Sequence, residues 1–132
     1  MNKKLITYLC GGINGLDDAD AKNWREIAKE KLNTDTLDPM RRDYRGKEKD
    51  FVNEIVQGDL DDISASNYIL INATKPSWGT AMEVVYAFTS PNVERIVAFT
   101  EGASISPWLR YHCNSVYDTL EQAIADINFD VL

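Results

Sequence analysis

Glu83 stands in "PSWGTAMEVVYA", residues 76–87, beyond a proline, a serine and a glycine and inside an apolar run of helical spacing. Its carboxylate has two readings. Thr80 and Glu83 have the T-x-x-E spacing of a capping box, in which the glutamate only satisfies a backbone N–H at the helix start. Ser77, however, offers an earlier cap. A helix begun there puts Glu83 in its second turn, on the side away from Val84 and Phe88, where the helix N-terminal field keeps it ionised and fit for nucleophilic attack. A second acidic group, Asp59, Asp61 and Asp62, reads either as a solvated helix end or as the source of one functional carboxyl. Two carboxyls in different environments are what cleavage of a glycosidic C–N bond requires. One attacks or stabilises the sugar carbon, and the other, its pKa raised by its surroundings, protonates the departing base.

Near the start of the chain, Gly11, Gly12, Asn14 and Gly15 suit a backbone N–H surface lying close to a ligand. The segment matches neither a Walker A sequence nor a G-x-G-x-x-G fingerprint, so a tight turn after a strand accounts for it equally well. Tyr8 reads as a core or sheet-edge aromatic whose hydroxyl matters only if it reaches a carboxylate.

The elements that must position these groups alternate. Strands are predicted at 5–10, briefly in "TLDPM" before Pro39, at 68–73, at 95–99 and at 115–117; "YILINA" lacks period-2 alternation, as expected of a strand covered on both faces. Helices are predicted at 19–32, from 47 to about 57 with a bent continuation through Leu60 and Ile63, at 79–88, as one turn around Trp108, and from 118 to about 127. In these helices Trp24, Ile27, Ala28 and Leu32, then Phe51, Val52, Ile55 and Val56, then Ala81, Val84, Val85 and Phe88 have core spacing. The pattern predicts an α/β fold, a doubly wound, five-stranded parallel sheet flanked by helices with right-handed crossovers. Ligands of such sheets bind beyond the carboxyl ends of the strands, which selects the loops after Cys10, Leu37, Ala73 and Phe99.

Composition narrows the partners. The 132 residues suit one domain, and a 44% hydrophobic content is enough for a core. With 14 Lys and Arg against 21 Asp and Glu, the net charge of −7 opposes binding to nucleic acid polymers and anionic membranes, although a locally basic pocket could still take a small anion. The opening "MNKKLITYLCGG" lacks a long apolar leader, and no run of apolar residues is long enough for a membrane span, so a cytoplasmic location is expected. Cys10 and Cys113 read as reduced thiols. One histidine and no C-x-x-C leave zinc without ligands.

"YLCGGING", "DPMRRDYRG", "GDLDDISASNYILINATKPSWGTAMEVVYA" and "SPWLRYH" together resemble the nucleoside 2-deoxyribosyltransferase family, including its branch of 2′-deoxynucleoside 5′-phosphate N-hydrolases. The resemblance covers nearly the whole chain. It implies a flavodoxin-like protein, at least a homodimer, that acts on a deoxynucleoside or its monophosphate, with a free nucleobase as acceptor in transfer, and needs no metal or organic cofactor. It assigns Glu83 as the nucleophile on C1′, Asp59 as the acid that binds and protonates the base, with Asp62 as the alternative register, and Tyr8 as the group that orients the nucleophile. Ser77, in the Pro76-Ser77-x-Gly79 segment, matches a serine of the phosphate-cleaving branch. The transferases acting on free nucleosides carry an acid just before the glycine turn; here Thr74, Lys75, Pro76 and Ser77 fill that place, favouring a 5′-phosphate. Gly11, Gly12, Asn14 and Gly79 are expected at the substrate. Arg41, Arg42, Arg45 and Arg110 would add positive potential to the mouth or be solvated surface, and Trp108 or Tyr111 would stack on a base. Two departures stand out: Asn14 replaces an arginine of the animal hydrolases, and the second serine that the hydrolases take from a neighbouring subunit has only Ser104 or Ser106 as a poor match. An inactive nucleotide-binding or sensor protein of the same fold is the competing reading, with a flavin carrier more remote.

Overall fold

The computed structural model describes residues 4–132. Met1–Lys3, part of the opening segment considered above for a leader, lie outside the described residues. Five strands, β1 (Ile6–Cys10), β2 (Asp35–Leu37), β3 (Tyr68–Asn72), β4 (Arg95–Phe99) and β5 (Ser115–Tyr117), form one sheet in the order β2-β1-β3-β4-β5, and every pairing is parallel. This is the flavodoxin-like order. Six α-helices join and flank the strands: α1 (Asp18–Ala21), α2 (Asn23–Lys31), α3 (Val52–Ser64), α4 (Trp78–Thr89), α5 (Pro107–His112) and α6 (Leu120–Val131).

The chain leaves β1 toward β2 on one side and returns to β3 on the other, so the loops after β1 and β3 diverge and open a crevice at their carboxyl ends. Both sheet faces are covered. Leu9, Leu70, Val97 and Phe99 pack against Trp24 and Ala28 of α2 and Ile124 and Ile127 of α6. Their neighbours along the strands, Tyr8, Cys10, Ile69, Ile71 and Ala98, point the other way, onto Ile63 of α3 and Val84 and Ala87 of α4. Covered faces explain the continuous apolar runs of the central strands.

Several helical expectations are corrected. The helix predicted over 19–32 is two pieces, because Asp17 caps α1 at Asp20 N and the chain re-enters helix after Lys22. α3 starts at Val52 after a 3₁₀ turn at Glu48–Asp50 and is continuous to Ser64, and Phe51, Val52 and Val56 are exposed. On α4 the buried positions are Thr80, Val84 and Ala87, while Val85 and Phe88 face outward. A capping box of Thr119 and Gln122 starts α6, which continues to Val131. Among the described residues no helix is long and apolar enough to cross a membrane.

The loop after β1 is held from below by Arg25 of α2, which is fully buried. Its guanidinium donates to the carbonyls of Leu9 (3.3 Å), Gly11 (3.0 Å) and Ala21 (2.6 Å), and it lies 3.5 Å from Asp38 Oδ1 at the end of β2. One cation thus ties the ends of β1 and β2 together. At Gly11 a Cβ would stand 2.9 Å from Trp24 Cζ2 and 3.1 Å from Asn72 Cβ, so only glycine lets the loop sit this low. Arg25→Met should cost about 3–5 kcal/mol, since it leaves the largely buried Asp38 with less positive charge and orphans loop carbonyls. Urea denaturation checks this, and a loss below about 1 kcal/mol would show that the loop does not depend on the guanidinium.

Candidate active site

Tyr8 and Cys10 alternate with Leu9, so both project from the same face of β1, toward α4. Ser77 caps α4, accepting from Thr80 N at 3.3 Å. With that cap in place, Glu83 does not serve the helix start, and the capping-box alternative falls away. Its Oε2 accepts from Tyr8 Oη at 2.9 Å and from Cys10 Sγ at 3.4 Å. The side chain sits at the floor of a cavity of about 630 Å³ above the β1/β3 crevice.

Asp59 reaches the same cavity from α3. Burial raises its pKa, opposed by the Arg42 guanidinium, whose Nη2 lies 3.2 Å from Asp59 Oδ1, and by the Glu83 carboxyl that faces it. Glu83 is pushed up to about 8 by burial and by the Asp59 charge, with the Tyr8 and Cys10 hydrogen bonds working against the rise. The expectation of an ionised Glu83 is therefore corrected. The dipole field acts within a helix's first turn, and at Glu83 desolvation and a facing carboxylate outweigh it. Both carboxyls are thus held above the ordinary carboxylate range, and they titrate as a coupled pair.

Charge pairing sets Asp62 apart from Asp59. Burial disfavours the Asp62 carboxylate, yet Arg41 and Arg42 hold its pKa below the usual range, with bidentate Arg41 contacts of 2.8 Å and an Arg42 contact of 2.8 Å. Asp62 is thus committed to arginines, and of the two Asp59 lines the cavity. Exposed Asp61 only accepts from Gln57.

Gly11, Gly12, Asn14, Ser77, Gly79 and Arg45 also line the cavity. Arg45 adds less positive potential than expected, because it is matched by Asp43 and Asp18, at 2.8 and 2.6 Å. Lys75 likewise pairs with Asp20 at 2.8 Å. Arg41, Trp108 and Arg110 do not line the cavity. Arg41 is engaged with Asp62 and the Asp38 carbonyl. Trp108 and Arg110 belong to α5, which packs on α4: Tyr111 meets Phe88 at 5.9 Å between ring centres, and Trp108 stacks on His112 while remaining 76% exposed. Neither Trp108 nor Tyr111 lines this cavity. Ser106 caps α5 and Ser104 lies outside the cavity.

Sequence reasoning missed Cys10 as a donor to Glu83, although its period-2 relation to Tyr8 was a usable signal. It also missed Arg42 as the partner of Asp59, for which no local pattern exists. Among the described residues no group of three or more His, Cys, Asp or Glu side chains is arranged to hold a metal ion.

The fold has counterparts among solved structures. The likeness is to 2-deoxyribosyltransferases. The enzyme from Bacillus psychrosaccharolyticus superposes with a TM-score of 0.69 at 14% identity, over 89% of this chain and 88% of that one. The enzyme from Leishmania mexicana gives 0.65 at 19% identity, over 97% and 99%. At these identities the likeness is one of fold. No family model matches the chain, and no curated protein does.

The raised Glu83 pKa has a stability consequence with a definite sign. Between the ordinary glutamate value and about 8 the unfolded chain has released this proton while the folded chain keeps it, so this group's contribution to stability falls as pH rises through that window and then levels off. The slope is at most about 1.4 kcal/mol for each pH unit. Glu83→Gln should therefore stabilise the fold more at pH 9 than at pH 5, measured by urea denaturation at both. Equal effects at the two pH values would show that Glu83 is not held protonated.

Proposed function

We propose that this chain, as one catalytic domain, cleaves the N-glycosidic bond of 2′-deoxynucleoside 5′-monophosphates through a covalent deoxyribosyl-Glu83 intermediate. The observation that carries the reading is the Tyr8–Glu83–Asp59 constellation: two facing carboxyls of raised pKa, one of them oriented by a phenol, in a cavity large enough for a nucleotide. The shared fold with 2-deoxyribosyltransferases supports it.

In the first step Glu83 Oε attacks C1′, the C1′–N bond breaks, its electron pair stays on the base nitrogen, and Asp59 delivers the proton there. In the second step water, or an acceptor base in transfer, attacks C1′. The bond to Glu83 breaks, the carboxylate is regenerated, and the incoming nucleophile's proton passes to Asp59. Two inversions give retention, and the missing 2′-hydroxyl eases the oxocarbenium-like state. Tyr8 stays protonated, since burial and the Glu83 charge raise its pKa further, so it acts as a donor and not as a base.

The 5′-phosphate is assigned to the start of α4, where Ser77, Trp78 and Gly79 line the cavity and the helix field favours an anion. The chain acts as a homodimer, supported by α4's outer side. Trp78, Met82, Val85 and Phe88 are exposed there, and the helix's only carboxylate, Glu83, is turned inward. For a chain of net charge −7, an uncharged face is where a second copy meets least repulsion.

Two experiments test this reading. A panel of matched deoxynucleosides and monophosphates, with and without free base, is followed by chromatography. Glu83→Gln should lower turnover at least about a thousandfold. Ser77→Ala should lower kcat/KM about ten- to a hundredfold for the monophosphate and leave the nucleoside nearly unchanged. Equal losses on the pair remove the phosphate site, and tight binding without turnover or a labelled Glu83 returns the chain to the inactive nucleotide binders. For assembly, sedimentation equilibrium should show dimers that Val85→Glu converts to monomers; a monomeric wild type at tens of micromolar overturns the dimer.

A further inference from the structure

Gly58 lies in the interior of α3, where glycine ordinarily weakens a helix. The space its missing side chain would take is occupied: a Cβ at this position would stand 2.9 Å from Arg42 Nε and 3.1 Å from Arg42 Cζ and Nη2. The guanidinium is thus seated on bare helix backbone. From that seat its Nη2 reaches two carboxylates of the same helix, Asp59 Oδ1 at 3.2 Å and Asp62 Oδ2 at 2.8 Å. Asp62 is buried and gripped by Arg41 as well, so it is a fixed anchor. Arg42 lines the cavity beside Asp59, which Arg41 does not.

We propose that Arg42 is a positioning residue, seated on Gly58 and anchored by Asp62, that fixes the Asp59 carboxyl toward Glu83 and governs how the pair's proton is divided. Its effect on catalysis rests on the function proposed above; its effect on Asp59 does not.

The division follows from what faces each carboxyl. Toward Asp59 come Glu83 from α4, Tyr8 and Cys10 from β1, Asp62 from its own helix and Arg42 from the loop after β2. Tyr8 and Cys10 spend their protons on Glu83 as neutral donors. Asp59 receives a charge-assisted bond from a cation, which favours a carboxylate more strongly than a neutral donor does. Before a nucleotide binds, the proton therefore stays with Glu83 and Asp59 is ionised. When a nucleotide binds, that proton moves from Glu83 to Asp59 and leaves on the base nitrogen, while the freed Glu83 oxygen bonds to C1′. The proton that blocks the nucleophile is the proton the leaving group needs, and none has to enter from solvent in this step.

The test is a carbon-13 NMR titration of the Asp59 carboxyl in the full chain without substrate, assigned with Asp59→Asn. Arg42→Met should raise the pH at which Asp59 titrates by about one unit, a tenfold gain in proton affinity. Arg42→Lys should give a smaller rise. Gly58→Ala keeps the charge but displaces the guanidinium from its seat, so it should shift Asp59 upward with no fall in Tm. It also decides the matter alone if Arg42→Met does not fold. Asp59 titrating at the wild-type pH in the folded variants overturns the proposal, because a merely structural arginine would leave that titration unmoved. In turnover, Arg42→Met should lose about tenfold in kcat on ordinary bases and less on a deoxyribosyl donor whose nitrophenolate departs unprotonated; equal losses also overturn it. A wild type inactive on the whole panel would sink the proposed function and leave the titration result standing.

Discussion

Two carboxyl groups brought face to face away from bulk water cannot both be charged, and the arrangement around Glu83 and Asp59 follows from that constraint. Each must be given partners that make a single shared proton the stable condition. β1 supplies the neutral donors, with Tyr8 and Cys10 separated by one residue and aimed at one oxygen of Glu83. The loop after β2 supplies the cation, and α3 leaves out a side chain to receive it. The crevice of the parallel sheet is where elements from both halves of the fold converge closely enough for this, because β1 and β3 are neighbours from which the chain departs in opposite directions.

What the sequence made legible divides along the range of the interactions involved. Strand identity, parallel order and the cap at Ser77 are written in short windows: an unalternating "YILIN" reports two covered faces, and a serine followed by a helical run reports a helix start. Partners distant in sequence are not written that way. Nothing in "RRDYRG" says that the second arginine, not the first, turns to the cavity, since the choice is made when Arg41 closes on Asp62. The outward positions of α4 are expected in the core because an apolar residue at helical spacing looks the same whether it faces a sheet or solvent. The expectation of an ionised Glu83 has a similar origin. The helix field is visible in a sequence, whereas the desolvation and the facing Asp59 that outweigh it arise only from folding.

Arg25 illustrates a different division of labour. It touches none of the proposed reacting atoms, yet its bonds to the carbonyls of Leu9 and Gly11 fix the strand end from which Tyr8 and Cys10 project. A buried arginine is tolerated here because its donors find backbone carbonyls and Asp38, and the ring of Trp24 lies 4.7 Å from its guanidinium carbon. The acidic surface is arranged with similar thrift: Asp18 and Asp43 neutralise Arg45, and Asp20 neutralises Lys75, so the cavity rim is less basic than a count of its lysines and arginines suggests.

Cys10 bears on how the protein meets reactive chemicals. Its thiol is fully buried, and burial together with the neighbouring Glu83 charge pushes its pKa well above that of a free cysteine. Alkylating agents and peroxides attack the thiolate, a form this residue scarcely populates. A sulfur within hydrogen-bonding distance of the central carboxylate is thereby chemically quiet, and the pocket keeps its donor through oxidising conditions that would disable a site built on an activated cysteine.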